Sequence, residues 1–449
     1  MMKQQTYSEY KESGVKWLGQ VPGHWNAVSL KWISQRYSGG TPDKSNDAYW
    51  ENGDIPWLNS GSVNDGYITE PSTYITREGF ASSSAKWIPE NALVMALAGQ
   101  GKTKGMVAQL GIRATCNQSM AAIIPKEKFT PRFLYWWLVS NYQNIRNMAG
   151  GEQRDGLNLD MLGSIPCPLL PLPEQTAIAD FLDRETGRID TLMAKKRQLI
   201  ALLKEKRSAL ISHIVTRGLP EAAVGEFGLK PHTRFKDSGI EWLGQVPEGW
   251  EALPLRRLIH FVKTGNTPSG VEEYHFEEGG FNWYSPSDFS GAVYLGAANR
   301  TLSAEGKAEI RIFPEMTVML VGIGATIGKV GLAKNESSCN QQINAIICNS
   351  KLYPVFATYY LQTMRDFIVK CGKFTTMPII NQDETKNLIV TVPPLPEQTA
   401  IATYLDRETA KIDRLVEKVD AAIARLQEYR TALITAAVTG KIDVRKAVV

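Results

Sequence analysis

The sequence predicts an α+β protein in which two mixed α/β domains and two long helices arise from one internal duplication. Two blocks, "YKESGVKWLGQVPGHW" from Tyr10 and "FKDSGIEWLGQVPEGW" from Phe235, are near copies of each other. Two further blocks, "PLPEQTAIADFLDRETGRID" from Pro171 and "PLPEQTAIATYLDRETAKID" from Pro394, lie 223 residues apart. Each of these later blocks opens a stretch with a helical apolar period. Each half of the chain therefore has a marked beginning and a helical end.

The stretches that follow Pro171 and Pro394 predict two long helices that pair with each other. Apolar residues recur there at seven-residue steps over about five periods, which is typical of a coiled-coil seam. At ~1.5 Å per residue, ~44 residues would span ~65 Å. We expect Leu192 and Leu415 to supply the partner positions of the heptad. The predicted seam consists of Leu182, Ile189, Leu192, Leu203, Leu210, Leu405, Ile412, Leu415, Val419, Leu426 and Leu433.

The repeats divide the chain into eight segments, with a Gly- and Pro-containing connector between the halves. The pseudo-twofold pattern also predicts that the first repeat segment packs near the end of the second helix, around Gly440. The segments are a first repeat segment (1–25), a first mixed domain (26–170), a first helix (171–217), the connector (218–234), a second repeat segment (235–250), a second mixed domain (251–393), a second helix (394–440) and a C-terminal tail (441–449).

Between the repeated blocks, the two mixed domains match only at a few motifs that keep their order. The glycines of "GQGKTKG" recur in "GIGATIGKVG", each time after an apolar run, which predicts a strand, a glycine turn and another strand. The two domains should therefore share a fold and differ in surface. The other matches are GGTP at Gly39 with GNTP at Gly265, Trp57 with Trp283, and CNQ at Cys116 with CNQ at Cys339.

The composition favours a globular, reduced, cytoplasmic protein. Apolar residues make up 43% of the chain and charged residues 21%, and the net charge of +4 does not settle whether the chain binds nucleic acid. The five cysteines are odd in number and form no CxxC pair, and the chain begins without an apolar signal segment. The longest apolar stretches are too short to cross a bilayer.

We find no catalytic or metal-binding motif that both halves share. "GQGKTKG" is not a P-loop, because Ala96 stands where the first glycine is required. The histidines show no metal-ligand spacing, and none recurs at the matching place in the other half. We interpret the repeated carboxylates Asp183, Glu185, Asp406 and Glu408 as helix capping and interhelical pairing, with general acid or base work as the alternative. The prediction is a chain without catalytic residues and without a metal site.

Basic and polar side chains in the diverged loops are the candidates for contact with DNA. Asn and Gln can bond adenine edges, so Asn117–Gln118 and Asn340–Gln341 could read bases, although we favour a buried structural role for them. The charged loop residues could be solvated or could contact phosphates and bases. The candidate contacts are Lys102, Lys104, Arg113, Gln153, Arg154, Lys329, Lys334, Lys373, Thr375 and Thr376.

The blocks "SGVKWLGQVPGHW" and "PLPEQTAIADFLDRETGRID", in this order and duplicated, closely resemble the specificity subunit of type I restriction-modification systems. The resemblance covers essentially the whole chain. It implies two target-recognition domains, each similar to the recognition domain of DNA adenine methyltransferases, held apart by an antiparallel pair of long helices. Each domain would read one half of an asymmetric bipartite site in double-stranded DNA.

The resemblance also implies the partners. The helices would dock two methyltransferase subunits that bring S-adenosylmethionine, and motor-nuclease subunits that use ATP and Mg would join for cleavage. This chain would bind none of these cofactors and would not be an enzyme. Two alternatives stay open, a stand-alone DNA-binding regulator and a protein-binding structural adaptor. Salt-dependent DNA affinity would argue against the adaptor.

Overall fold

The structure is a computed structural model that describes residues 5–99, 101–149, 156–240, 243–269, 273–371, 373–374 and 378–445. It divides into two units. The first unit joins Met1–Lys196 to Ala421–Val449, and the second is Arg197–Asp420. Each unit thus contains one repeat segment, one mixed domain and a part of each long helix.

The first unit is built around a five-stranded sheet. Its central strand Leu93–Ala96 is a fully buried apolar run, as expected of a strand covered on both faces. The sheet strands in spatial order are Ser34–Ser38, Met120–Pro125, Leu93–Ala96, Val107–Leu110 and Tyr67–Ile68. The smaller sheets of this unit are Thr115–Cys116 with Ile55–Leu58 and Thr73–Ile75, Asn26–Ser29 with Pro166–Leu169, and Tyr10–Glu12 with Gln20–Pro22.

The second unit repeats this arrangement with a four-stranded sheet, in which the fifth strand is reduced to a parallel bridge between Tyr294 and Leu332. The sheet strands are Ile259–Thr264, Ile343–Cys348, Thr317–Val321 and Val330–Ala333. The smaller sheets are Thr301–Leu302 with Phe276–Tyr284 and Ser338–Cys339, Glu251–Pro254 with Ile389–Val392, Phe235–Asp237 with Gln245–Pro247, and Lys373–Phe374 with Pro378–Ile379.

Short helices cover the sheets, and a glycine turn joins two strands of each sheet as predicted. Gly101 and Gly324 take positive φ angles of 62° and 98° in these turns, a conformation that favours glycine. The short helices are Leu30–Ile33, Arg77–Ala81, Pro131–Ser140, Tyr142–Asn147, Leu159–Ser164, Glu221–Val224, Ala304–Ala308, Pro354–Thr363, Arg365–Cys371 and Gln382–Lys386. The first long helix is Leu172–Arg217 and the second is Leu395–Val438.

The two long helices run antiparallel within each unit. In the first unit, Trp25 contacts both the start of the first helix and Gly440 beyond the end of the second, and Arg430 donates to Asp190 at 2.9 Å. In the second unit, Arg207 donates to Asp413 at 3.0 Å. Each residue of this second pair lies 223 positions from its counterpart in the first, so the two ion pairs are duplicates.

The helix ends of the second unit also show that the two long helices run antiparallel there. A Cβ atom on Gly218, just after the first helix, would lie 3.4 Å from the Glu397 carboxylate at the start of the second. The predicted contact around Gly440 is confirmed in the first unit, where the Tyr10 hydroxyl donates to the Gly440 carbonyl at 3.1 Å. The predicted fold class, with its duplication and paired long helices, is therefore confirmed.

The heptad seam is partly corrected by the structure. Leu182, Ile189, Leu405 and Ile412 are buried. Leu192 and Leu415, however, are 44% and 49% exposed, so their assignment to the seam was wrong.

The buried partner lies one residue later, at Met193, which is 6% exposed, because the heptad step after Ile189 spans four residues and not three. The other predicted seam residues differ in depth. Leu433 is buried, and four others are half-buried, namely Leu203, Leu210, Val419 and Leu426. Among the described residues, no helix is both long and apolar enough to cross a membrane.

Candidate nucleic-acid interface

The glutamate of the repeated "PEQ" ties the start of each long helix to its repeat segment. Glu174 is buried and accepts hydrogen bonds from Trp25 Nε1 at 3.1 Å and from the Tyr7 hydroxyl. His24 Nε2 also lies 2.8 Å from this carboxylate. Burial and the neighbouring Glu174 raise the pKa of Tyr7, which keeps the phenol protonated as a donor.

The second unit repeats this cluster with a different residue set. Glu397 accepts from Trp250 Nε1 at 3.2 Å and lies 2.6 Å from His232 Nε2. His232 follows Tyr7 by 225 residues, the same offset that separates Trp25 from Trp250. The histidine of the second unit therefore occupies the place of a tyrosine, and sequence reasoning that searched for recurring histidines could not find this match.

The side-chain amide of the glutamine in "PEQ" binds backbone groups of the mixed domain. Gln175 accepts from the Thr130 amide at 3.0 Å and donates to the Lys128 and Leu170 carbonyls. Gln398 makes the equivalent three bonds, with the Tyr353 amide at 2.7 Å. Both side chains are fully buried, so their satisfied amides specify one position of each helix on its domain.

Asp183 and Asp406 also anchor the helices to the domains, which corrects our capping and interhelical interpretation. Asp183 accepts from Arg132 Nε and from Trp136 Nε1, both at 2.8 Å. Asp406 accepts instead from the hydroxyls of Tyr359 at 2.7 Å and Tyr294 at 2.6 Å.

The neighbouring repeated carboxylates behave differently. Among the residues that the structure describes, Glu185 and Glu408 pair with basic residues of their own helices. These carboxylates are thus held in structural contacts, and none of those contacts requires acid or base chemistry.

The sequence motifs that match between the mixed domains meet in space. A Cβ atom on Gly39 would lie 1.9 Å from the Cys116 carbonyl oxygen, and one on Gly265 would lie 1.7 Å from that of Cys339. Only glycine permits so close a backbone approach. The indole of Trp57 donates to the Gly40 carbonyl at 3.0 Å, and that of Trp283 donates to Asn266 in the same way.

A threonine and a glutamine form the exposed part of this arrangement in both domains. Thr41 donates its hydroxyl hydrogen to the Gln118 carbonyl oxygen, and Thr267 donates to Gln341 at 2.8 Å. The adjacent Asn117 and Asn340 hold their own turns by accepting backbone amides. The asparagines therefore have a structural role, with Asn340 buried and Asn117 half-buried, whereas the buried role that we favoured for Gln118 and Gln341 was wrong, because both side chains are exposed.

In the first domain, Gln118 borders an open groove of about 590 Å³ with an aromatic floor. Trp50 and Trp57 meet edge to face there, with ring centroids 5.1 Å apart. Amides and a lysine on the rim supply both donors and acceptors, the mixture that base edges require. The lining residues are Thr41, Lys44, Asp47, Trp50, Trp57, Asn59, Asn117, Gln118 and Ser119.

In the second domain, Gln341 borders a smaller groove of about 320 Å³ that is rich in amides. No tryptophan is among the described residues that line it, and Asn381 and Asp383 come from the segment that precedes the last strand. Gln341 is the counterpart of Gln118 at the 223-residue offset. This glutamine therefore lines both grooves, whereas the other lining residues of the two grooves differ. The lining residues are Thr264, Gly322, Ile323, Gln341, Gln342, Asn344, Ile379, Ile380, Asn381, Gln382 and Asp383.

Of the predicted contact candidates that the structure describes, none lines either groove. Lys102 and Arg113 are exposed, and Arg113 stacks on Trp87 at 4.1 Å. Lys334 is exposed over the Tyr294 ring at 3.9 Å.

Two further candidates are engaged inside the protein. Lys104 is buried, and Lys329 donates to the Phe289 carbonyl at 2.7 Å, which corrects our expectation of free basic loops. Gln153, Arg154, Thr375 and Thr376 lie outside the described residues, as does the side chain of Lys373. The signal that did mark the grooves was the pair of matched motifs, GGTP or GNTP with CNQ.

The described residues thus form a duplicated frame that carries two different polar grooves. The family model described as "Type I restriction modification DNA specificity domain" matches the chain twice, at residues 22–202 and 247–425. The chain therefore belongs to this family.

Individual relatives agree with this assignment. The chain is similar to the type I restriction enzyme MjaIX specificity subunit of Methanocaldococcus jannaschii, at 21% identity over 464 residues that cover 99% of each protein. It is 31% identical over 180 residues to the EcoR124I/EcoR124II specificity subunit of Escherichia coli, an alignment that covers 39% of this chain and 42% of that protein.

Solved structures show the same fold. One is the HsdS subunit from Thermoanaerobacter tengcongensis, with a TM-score of 0.53, 17% identity and coverage of 94% of this chain and 98% of that chain. A second comes from a study of complex assembly and conformational transition of the type I R-M system, with a TM-score of 0.65 and 17% identity, covering 93% of this chain and 98% of that one.

Proposed function

We propose that this chain is the sequence-specific DNA-recognition subunit of a type I restriction-modification complex. Each mixed domain reads one half of an asymmetric bipartite site in double-stranded DNA. The observation that carries this proposal is the repeated threonine–glutamine pair beside grooves whose other residues differ. Two grooves on one frame present different donor and acceptor patterns, so they select different base sequences.

The long helices set the distance between the two half-sites, which leaves a non-specific spacer in the DNA. Support comes from the two duplicated ion pairs, which give the helix pair the same register in each unit. Buried Glu174 and Gln175, with their counterparts, fix where each helix starts on its domain. Helix length would then determine the half-site spacing.

The helices also dock two methyltransferase subunits. Apolar side chains are exposed at matched positions of the two repeats, and a surface presented twice fits two copies of one partner. The matched exposed pairs are Tyr10 with Phe235, Leu172 with Leu395, and Leu192 with Leu415.

The partners supply the chemistry. The methyltransferase subunits bring S-adenosylmethionine, and motor-nuclease subunits with ATP and Mg complete the complex for cleavage. This chain is non-catalytic and binds none of these cofactors. Its contribution to methyl transfer is to choose the sequence that the partner modifies.

The first test expresses this chain with its methyltransferase partner in a host that lacks adenine methylation and maps the modified adenines by single-molecule sequencing. We expect N6-methyladenine in a split motif with two unlike halves. An assembled complex that leaves no N6-methyladenine would contradict the proposal. Tight specific binding by the chain alone would then favour a regulator, and absence of salt-dependent binding a structural adaptor.

A second test addresses docking with a matched control. The double variant Leu192→Arg with Leu415→Arg should fold normally, because both side chains are exposed, but should fail to co-purify with the methyltransferase subunit. Leu202→Arg is the control, since Leu202 is exposed and its counterpart at the 223-residue offset is already Arg425. Equal co-purification of both variants would argue against this docking surface.

A further inference from the structure

An aromatic pair is repeated in the two mixed domains, and among the described residues an arginine stacks on the pair of the second domain but none stacks on that of the first. Phe276 follows Trp50 by 226 residues and Trp283 follows Trp57 by the same interval. The Phe276 and Trp283 ring centroids lie 6.1 Å apart, comparable to the tryptophan pair of the first domain. The guanidinium carbon of Arg300 lies 3.7 Å from the Phe276 centroid and 5.9 Å from that of Trp283.

This aromatic pair belongs to the same side of the domain as the repeated glutamine. The Trp283 indole donates to the Asn266 carbonyl at 3.0 Å, and the next residue, Thr267, holds Gln341 at 2.8 Å. In the first domain, the equivalent tryptophan pair and Gln118 line one groove. Arg300 therefore covers the aromatic pair of the second domain, whereas the equivalent pair of the first domain forms the floor of an open groove.

The loop that carries Arg300 is fixed on both sides. The Tyr284 hydroxyl donates to the Gly296 carbonyl at 2.9 Å, and the Ala298 amide donates to the Asn282 side chain at 3.0 Å. The Asn299 amide donates to Asp288 at 2.7 Å. The residue after Arg300 pairs with Asn282 in a short antiparallel ladder. A side chain stacked on a ring and mounted on a fixed loop loses little further freedom on binding.

The hydrogen-bonding groups of Arg300 are available. The side chain is exposed, and among the described residues no hydrogen bond or ion pair engages its guanidinium group. Arg132 shows the contrast, because it also stacks on an aromatic ring but donates to Asp183 at 2.8 Å. A stacked guanidinium directs its N–H donors outward in its own plane, where a flat acceptor edge can meet two of them.

We propose that Arg300 reads a guanine in the half-site bound by the second mixed domain. Guanine presents two acceptors, O6 and N7, on one edge of the major groove, and a bidentate arginine is the commonest contact to that edge. Among the described residues of the first domain, no arginine lies on the aromatic pair, so we assign this contact to the half-site of the second domain. The inference rests on the proposed function, since it assumes that the chain directs adenine methylation in DNA.

The test uses the assembled complex of this chain with its methyltransferase partner and compares the methylated motifs of the wild type, Arg300→Lys and Arg300→Ala. We expect the wild-type half-site of the second domain to specify a G·C pair. Both variants should relax that position, with discrimination falling on the order of 10- to 100-fold. Lysine keeps the charge but loses the planar fork, so it should not restore the base preference.

The other half-site is an internal control, because its motif should stay unchanged in both variants. Lys307→Ala is a matched control on a different aromatic ring, since Lys307 lies 4.1 Å from the Phe281 centroid and is already paired with Glu336 at 3.0 Å. It should leave the motif intact. Melting temperature and co-purification with the partner verify that each variant folds and assembles.

Three results would overturn the inference. These are a second half-site without a specified G·C pair, an unchanged motif in both Arg300 variants, and a uniform loss of methylation in Arg300→Ala that Arg300→Lys restores. The third result would mean a phosphate contact, which depends on charge and not on the fork. A wild-type complex with no split motif at all would instead refute the proposed function, so the two failures are distinguishable.

Discussion

The two mixed domains differ in the surfaces they expose and agree in the contacts that hold them on the helices. Each helix start has a buried glutamate bound to a tryptophan, and each has a buried glutamine bound to three backbone groups. The residues around these contacts change freely. Tyr7 is replaced by His232, and the Trp136 and Arg132 donors to one aspartate are replaced by two tyrosines.

The duplication therefore preserves the anchoring contacts of the frame even where a partner residue changes, whereas the grooves keep the threonine–glutamine pair and differ in most other residues. The first groove has a pair of tryptophans and Lys44, and the second is rich in amides and has isoleucines in place of the tryptophans. A frame must present the same geometry twice, whereas a recognition surface gains a second specificity only by changing. Four predictions test this contrast, in order of decreasing effect.

The largest effect is expected at the glycines where the repeated motifs meet. Gly39→Ala and Gly265→Ala would place a Cβ atom within 2 Å of a backbone carbonyl, so backbone has to move. We expect each to lose about 4 kcal/mol of unfolding free energy in urea titrations. Gly249→Ala is the control, because an added Cβ there meets nothing within 4 Å. A similar loss in all three variants would show that the close approach is not the cause.

The next effect concerns the corrected seam. Met193→Asp places a charge in the buried seam and should cost about 3 kcal/mol in the isolated chain. Leu192→Asp, one residue away and exposed, should leave the urea midpoint nearly unchanged. Thermal or urea unfolding of the two variants measures the difference. The original heptad assignment would be reinstated if Leu192→Asp proved the more damaging substitution.

The contacts that Asp183 and Asp406 make with the two mixed domains should respond differently to high pH. Burial, together with the Asp406 carboxylate, raises the pKa values of Tyr359 and Tyr294. A raised pKa in the folded state contributes stability that is present below the unfolded value of about 10 and is lost as the pH rises above it. The first domain uses Arg132 and Trp136 at this place, and neither carries a phenol.

Tyr359→Phe tests this difference. At pH 7 the variant should lose about 1–2 kcal/mol, because one hydrogen bond to Asp406 is gone. Above pH 10, the wild type should lose up to about 1.4 kcal/mol more per pH unit than the variant. Urea titrations from pH 7 to 11 provide the measurement, and Trp136→Phe in the first domain is the control without a phenol. Parallel pH profiles for the wild type and Tyr359→Phe would contradict the expectation.

The smallest effect is expected at the duplicated ion pairs. Asp190 and Asp413 are about half exposed, so Asp190→Asn and Asp413→Asn should each cost less than about 1 kcal/mol. Since the two pairs are duplicates, the two costs should agree. Double-mutant cycles with Arg430→Gln and Arg207→Gln isolate the coupling energies. Clearly unequal couplings would show that the two halves of the helix pair are not equivalent.

The sequence by itself determined the duplication, the two long helices and the matching motifs. Heptad spacing and repeated blocks are local properties, so they are visible along the chain without knowledge of the fold. The same is true of the glycine turns, which need positive φ angles at Gly101 and Gly324. The expected packing around Gly440 also followed, because a duplication dictates that equivalent segments make equivalent contacts.

Only the tertiary structure decided which residues hold the frame and which face outward. Glu174 bonds Trp25 from 149 residues away, and Tyr10 reaches Gly440 across 430 residues, distances at which sequence spacing carries no information. The choice of Met193 over Leu192 depends on about 100° of helix rotation that the partner helix sets. The grooves, and the stacking of Arg300 on Phe276, bring together segments that meet only after folding. Such side-chain contacts depend on distance in space and not on order along the chain.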